Sequence, residues 1–291
     1  MILFSINMDY VRFDGKHWIA KRPRNGPFLF HSYEYVAEQA NQALGKNGIV
    51  AIPNARPDEY RYEEFINSAS GIKEIEDGRA IYDSGHEVYF MKAQKINTNF
   101  NNIPITFLAY NLPFEKNIDD KTIFRALEES HKNNYILGIT LPSCIRNLEQ
   151  VLESYPSLLN HLDFVVGYSG IAALKKTNIP SLGFYQQKIK GKTFDNSYSK
   201  EHHKIGIIAV SGGHRTPKTL LGRLFNGFNQ TIGSSYTRIP EPSDNNFMAD
   251  LRKSLQQTNE ADHYLEKIFA EALRHKFSID VWDKTGLPHF K

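Results

Sequence analysis

The chain has 291 residues, of which 41% are hydrophobic and 23% charged; these are ordinary proportions for a folded protein and exclude collagen-like, coiled-coil and wholly disordered chains. Lys plus Arg exceed Asp plus Glu by 35 − 32 = 3, too little to mark a nucleic-acid binder, and the single cysteine, Cys144, excludes an intramolecular disulfide framework and a cysteine-based zinc finger. The opening MILFSINMDYVRFDG lacks a basic segment followed by an apolar one, and no apolar run approaches the roughly 20 residues of a membrane span, so the expectation is no signal peptide, no membrane partner and a cytoplasmic setting.

In chain order, ILFSI (2–6) reads as a strand and YEYVAEQANQAL (33–44) as a helix with Val36, Ala40 and Ala43 on one face. GIVAI (48–52), HEVYFM (86–91) and ITFLAY (105–110) read as strands, followed by a helix over KTIFRALEESHK (121–132) with Ile123, Phe124 and Leu127 on its apolar face. Then strands YILGIT (135–140), DFVVGY (163–168) and KIGIIAV (204–210) alternate with helices NLEQVLESY (147–155), SGIAALKK (169–176) and TPKTLLGRLFNGF (216–228). The polar stretch 185–203 reads as a long loop, and beyond Pro240 two terminal helices are expected, MADLRKSLQQ and ADHYLEKIFAEALRHKF. This alternation predicts parallel strands with crossover helices. About seven strands over some 240 residues predict an α/β fold, a distorted, TIM-like β/α barrel over residues 1–240 with C-terminal helices (241–291) packed on it. A small open sheet is the alternative that periodicity alone leaves standing.

In such a barrel the chemistry sits just beyond the strand C-termini. Those positions hold Asn7 and Asp9; Pro53, Asn54, Ala55 and Arg56; Pro142, Ser143 and Cys144; Tyr168 and Ser169; and Ser211, Gly212, Gly213, His214 and Arg215. The last group is the most informative, because an apolar strand runs into SGGHRTP and Thr216-Pro217 opens a helix with Pro at its first position. Glycines allow close backbone approach and a helix N-terminus favours anions; a tight turn with an incidental histidine is the plain alternative. Cys144 as a nucleophile paired with His214 is a weaker reading than a small buried hydrophobe. No GxGxxG or GxxxxGK[ST] loop occurs, so no nucleotide cofactor is expected.

IAVSGGHRTPKTLLGRLFNG resembles the last core motif of the PHP (polymerase and histidinol phosphatase) superfamily, a strand ending in Ser-Asp-Ala-His that runs into a Thr-Pro helix. In order, MILFSINMDY is similar to that family's Asp-x-His-x-His strand end, GIVAIPNAR to its Thr-Asp-His strand end, and MKAQKINT to its Gly-x-Glu-Ile-x-Thr strand, with ITFLAYNLP as the hairpin partner. ILGITLPSC is similar to the His-Pro strand end and LDFVVGYSG to the segment carrying Asp-x-x-Glu, so the resemblance spans roughly residues 1–240. It implies a barrel whose histidines and carboxylates hold two or three divalent metals for phosphoester hydrolysis.

The departures carry more than the matches. Ser5, Asn7 and Asp9 stand for Asp, His and His; Asn54 and Ala55 for Asp and His; Lys95 for the bridging Glu; Leu141 for His; Val166 for an acidic residue; and Gly212 for Asp. Only His214 matches outright, with Asp9 a substitute for one ligand. A multinuclear site needs anionic carboxylates and neutral imidazoles, so an ammonium at Lys95 opposes it. The resemblance, with these losses, implies a divergent, catalytically inactive relative with a degenerate metal site and no metal cofactor.

Ser5, Asn7, Asp9, Asn54, Lys95, Ser211 and His214 leave a polar mouth, with Arg56 and Arg215 at its rim. Two readings of Lys95 stay open: an internal pair with Asp9 that stabilises the fold, or an anion pocket with His214 and Arg215 for a phosphate-bearing small molecule. The runner-up function is an active phosphoesterase with a reduced metal site, in which Asp9 and His214 are ligands and Asn7 or Asn54 orients phosphate or water. A ligand set drawn from His31, His86, Glu87 or His131 lacks characteristic spacing. A further alternative is a non-catalytic RNA-binding barrel using the basic, aromatic-bearing loops KHWIAKRPR (16–24) and KIKGKTF (188–194). The terminal helices could also bind another subunit, packing on the chain's own barrel being the default.

Overall fold

The structure is a computed structural model that describes residues 2–6, 11–13, 18–20, 28–29, 37, 40, 41, 44, 48–54, 61–76, 78–83, 87–100, 102–111, 135–140, 145–169, 175–195, 202–210, 216–217 and 236–266. The first strands are β1 (Ile2–Ile6), β2 (Val11–Phe13), β3 (Trp18–Ala20), β4 (Phe28–Leu29) and β5 (Gly48–Asn54). Next come β6 (Ile72–Glu76), β7 (Arg79–Asp83), β8 (Glu87–Phe100), β9 (Ile103–Tyr110), β10 (Ile136–Ile139) and β11 (Phe164–Ser169). The last are β12 (Phe194–Asp195), β13 (His202–His203), β14 (Gly206–Val210), β15 (Thr216–Pro217) and β16 (Thr237–Ile239). Four helices have described bounds: α1 (Arg61–Ser68), α2 (Ile145–Ser154), α3 (Lys175–Lys188) and α4 (Phe247–Gln256).

Ten strands form one mixed sheet along the path β14-β11-β10-β9-β8-β5-β1-β16, with β7 added to β8 and β6 to β7. Two parallel blocks, β1-β5-β8 and β10-β11-β14, are joined through β9, which is antiparallel to both neighbours. Strand alternation divides the core between the two faces. One face gathers Ile49, Ala51, Met91, Ala93, Leu108, Tyr110, Phe164, Val166, Ile208 and Ile239 into a single apolar cluster, which Phe247, Leu251 and Leu255 of α4 complete. Those three helix residues recur at i, i+4 and i+8 and so form one stripe. The opposite face is covered near β9–β11 and β14 by Leu148 and Val151 of α2 and Leu182 and Tyr185 of α3, and near β5–β8 by Tyr62 and Phe65 of α1.

The sheet is open, and this corrects the expected barrel. β14 and β16 are the two ends of the ladder, and no backbone pairing joins them among the described residues. The outward groups of β14 are bonded elsewhere. Ile207 donates to Thr258 O at 2.8 Å and accepts from Glu260 N at 2.8 Å. Ala209 N–H donates to Thr237 Oγ1 at 2.9 Å, and the Thr237 hydroxyl donates back to Ala209 O at 2.8 Å. A side chain therefore spans the ends where a barrel would need a ladder. The alternation pattern, which predicts parallel strands, does not hold at β9, which returns as a hairpin on the 14-residue β8, the pairing expected for ITFLAYNLP as the partner of MKAQKINT. Apolar runs report burial and carry no strand direction.

Three local expectations change as well. Thr216 and Pro217 pair as a short strand with Leu29 and Phe28, and the rest of the helix expected over 216–228 lies outside the described residues. Ser169 ends a strand, and the helix expected over 169–176 begins at Lys175 and continues to Lys188, into the stretch read as loop. Beyond it, Gly191 turns with φ +72°, followed by the pairing of Phe194 and Asp195 with His203 and His202. Part of the basic segment 16–24 is strand β3, paired with β2. The helix expected over 121–132 lies outside the described residues, and of the one expected over 33–44 only residues 37, 40, 41 and 44 are described, all helical.

Asp163, just before β11, anchors α4. Its side chain is 0% exposed; Oδ2 accepts from Leu137 N at 2.9 Å, and Oδ1 accepts from Arg252 Nε and Gln256 Nε2, each at 2.7 Å. The end of α4 then meets β14 so closely that a Cβ at Gly206 would lie 1.7 Å from Leu255 O, a contact only glycine allows. Asp163→Ala leaves the half-buried guanidinium without its carboxylate, and urea unfolding is expected to show a loss of about 3–5 kcal/mol. Thr237→Val, of equal shape, leaves both Ala209 backbone groups without partners and is expected to cost about 1–3 kcal/mol in the same assay.

Candidate functional site

β5 ends at Asn54, opposite Gln94, while β8 continues to Phe100. From Lys95 onward β8 has β9 as its partner, so its other edge rises above the end of β5. Met91 and Ala93 face the cluster that contains α4, and alternation puts Lys95 and Asn97 on that same face. Lys95 stands opposite Leu108, and Asn97 opposite Thr106.

Lys95 and Thr106 are half-buried and Asn97 is exposed. Thr106 Oγ1 donates to Asn97 Oδ1 at 2.8 Å. Thr140, following β10, donates to Thr106 O from its N–H at 3.0 Å and from its hydroxyl at 3.2 Å. With its oxygen engaged, the Asn97 carboxamide offers chiefly N–H donors to a ligand. Lys95 and Asn97 therefore share a face with the apolar residues Leu108, Ala93 and Val166. Donors beside apolar residues suit an anion, since a lower local dielectric strengthens each contact.

Of the residues expected to form the mouth, Lys95 is the one whose side chain is described. Asn54 ends β5 one register position from Lys95, with its side chain outside the described residues, as is that of Ser5 in β1. Asn7, Asp9, Arg56, Ser211, His214 and Arg215 lie outside the described residues, as do Cys144, Leu141, Gly212, His31, His86 and His131 and the side chain of Glu87. Asn97, Thr106 and Thr140 were not singled out from sequence; the polar residues at every second position from Lys95 to Asn99 in MKAQKINTNF were the available signal.

The described residues of this face do not by themselves make a multinuclear metal centre. Val166 is 2% exposed within the apolar cluster and offers no ligand atom. Lys95, on the same face, brings a positive charge that opposes a bound cation. Among the described residues, no group of three or more His, Cys, Asp or Glu side chains could hold a metal ion. No described helix is long and apolar enough to cross a membrane.

A second polar centre lies at the other end of the strands. His203 Nε2 lies 3.1 Å from Leu162 O, a carbonyl that can only accept, so this nitrogen carries the proton. Burial lowers the His203 pKa from its ordinary 6.5, opposed by the nearby Asp163 charge and the carbonyl bond and aided by Arg252. Apart from that centre, toward the C-terminal end of β11, Tyr264 donates to Tyr236 O at 3.2 Å and accepts from Tyr236 N at 3.1 Å, while its ring stacks on Tyr168 with centroids 4.2 Å apart. Burial pushes the Tyr264 phenol well above its usual range.

Compared with known proteins, the sequence matches no protein-family model and no curated protein.

Because the folded state holds His203 below its unfolded pKa, protons bind the unfolded chain more readily there. The His203 contribution is intact above the ordinary 6.5 and is lost as pH falls through the lowered folded value. Urea unfolding across a pH series is expected to show stability falling below about pH 6.5, with a shallower fall in His203→Gln. Equal slopes for the two proteins would remove His203 as the titrating group.

Proposed function

We propose that this chain is a non-hydrolytic binding protein, a divergent relative of metal-dependent phosphoesterases whose strand-end rim takes a small phosphate-bearing molecule without a metal. The observation that carries the reading is the placement of Lys95 and Asn97 on one face with Leu108, with the Asn97 oxygen held by Thr106. The ordered resemblance of the strand-end segments to the PHP superfamily supports phosphate as the ligand's charged group.

In this reading the Lys95 ammonium supplies the charge, while the Asn97 amide donates to a second phosphate oxygen. Lysine acts as a point charge, so it selects an anion without demanding a bidentate geometry. Thr106 and Thr140 are positioning residues that fix the amide's orientation. No group in the described rim is placed to activate water, and the metals that would do so in the resembled family lack their ligands.

Calorimetric titration with inorganic phosphate and with adenosine monophosphate is expected to show saturable binding, and thermal unfolding to shift upward with ligand concentration. Lys95→Met is expected to weaken binding by about tenfold or more at unchanged fold. Equal thermal stability with and without millimolar phosphate or nucleotide, or unchanged affinity in Lys95→Met, overturns the anion site. Elemental analysis of protein expressed with added manganese, zinc and iron tests the metal-free part, and a stoichiometric transition metal would show the ligand assignment to be wrong.

A further inference from the structure

The face of β8 turned toward α1 carries polar atoms that the anion rim does not use. Gln94 is 5% exposed, and its Oε1 has no hydrogen-bond partner. Lys92, two residues earlier and therefore on the same face, places Nζ 2.5 Å from Glu63 Oε1 in the first turn of α1. The other carboxylate oxygen, Glu63 Oε2, is also buried without a partner. Two acceptors thus lie unmatched beside the carboxyl end of β5, which stops across from Gln94. Crevices at the carboxyl ends of strands are where open α/β sheets take their ligands, and a buried acceptor without a donor is costly unless something supplies one.

We propose that Gln94 and Glu63 form a subsite for the vicinal hydroxyls of a neutral, sugar-type polyol. The chemistry selects this class over its competitors. An anion would meet the Glu63 carboxylate. A cation would meet the Lys92 ammonium, which already neutralises that carboxylate, and would offer donors alone. A carboxamide presents one acceptor and one pair of donors in either flip state, and its complement is a group that both gives and receives hydrogen bonds, as a hydroxyl does. One hydroxyl donates to Glu63 Oε2, and its neighbour donates to Gln94 Oε1 while accepting from Gln94 Nε2 or Lys92 Nζ. This subsite stands on different residues and the opposite face of the sheet from the anion rim, so either can fail without the other.

The test is calorimetric titration and saturation-transfer NMR of the full chain with D-ribose and with D-glucose, in phosphate-free buffer. Saturable binding of at least one sugar is expected, weakened about tenfold in Gln94→Leu and in Glu63→Gln. Lys95→Met is expected to bind the sugar unchanged, because it alters the other face. Thermal unfolding of sugar-free protein supplies a second readout. If the Gln94 carboxamide is held for a ligand, Gln94→Leu unfolds at an equal or higher temperature than the parent, since it removes an unpaired buried group. No saturable binding of either sugar overturns the proposal, as does undiminished binding in Gln94→Leu. A clear fall in the melting temperature of Gln94→Leu also overturns it, since the carboxamide would then be serving the fold through internal water alone.

Discussion

The arrangement depends on one buried carboxylate. Asp163 lies where β11 begins, fully out of water, and its two oxygens are held by donors from different parts of the chain: Leu137 in β10, and Arg252 and Gln256 in α4. A charge in that position must be paired and hydrogen-bonded or it opposes folding. Its net contribution to stability is therefore smaller than the strength of its bonds suggests. What it imposes is direction: α4 has to cross the N-terminal ends of the strands with Arg252 and Gln256 turned toward Asp163. The same orientation sends Leu251 and Leu255 into the apolar face of the sheet.

From that constraint the two ends of the parallel strands acquire different characters. Their N-terminal end is filled by α4, by the close approach of Leu255 to Gly206, and by Arg79, whose guanidinium lies 4.2 Å from the Phe247 ring centroid. Among the described residues there, Arg252 and Gln256 face Asp163. At the C-terminal end β5 stops at Asn54 while β8 runs on, so a wall of backbone and alternating side chains stands above the neighbouring strand's end. The unequal lengths of adjacent strands thus create a step. Lys95 and Asn97 lie on one side of it, and Gln94 and Lys92 on the other.

The positions of most of the sheet's strands were legible in the chain, and their partners, the β8–β9 hairpin apart, were not. ILFSI coincides with β1, and GIVAI, ITFLAY, YILGIT, DFVVGY and KIGIIAV each overlap one strand, because short apolar runs bounded by turns are what burial on both faces requires. β6 and β7 escaped notice because Ile72–Glu76 is largely exposed and its residues are mostly charged. The end of α3 escaped for a similar reason: Gln186, Gln187 and Lys188 look like loop, and from residue 185 to the helix end Tyr185 alone is buried. At the site, Lys95 was found through its place in a resembled motif. Asn97, Thr106 and Thr140 depend on the register between β8, β9 and β10, which is long-range information that no local pattern contains. The importance of Asp163 was hidden likewise, since its partners lie 26, 89 and 93 residues away.

Openness of the sheet follows from how its terminal strands spend their hydrogen bonds. A barrel closes when the last strand offers the first a continuous row of donors and acceptors. Here Ile207 has already given its pair to the segment around Asn259, and Ala209 has given its own to a single threonine hydroxyl. β16, three residues long and antiparallel to β1, has little ladder to offer in return. One hydroxyl that both donates and accepts can satisfy one residue of an edge, but it cannot set a register along it. The curvature that brings Ile208 and Ile239 into one cluster is therefore maintained by side-chain packing around α4 and by Thr237, which ties the Asp163 anchor to the shape of the sheet as a whole.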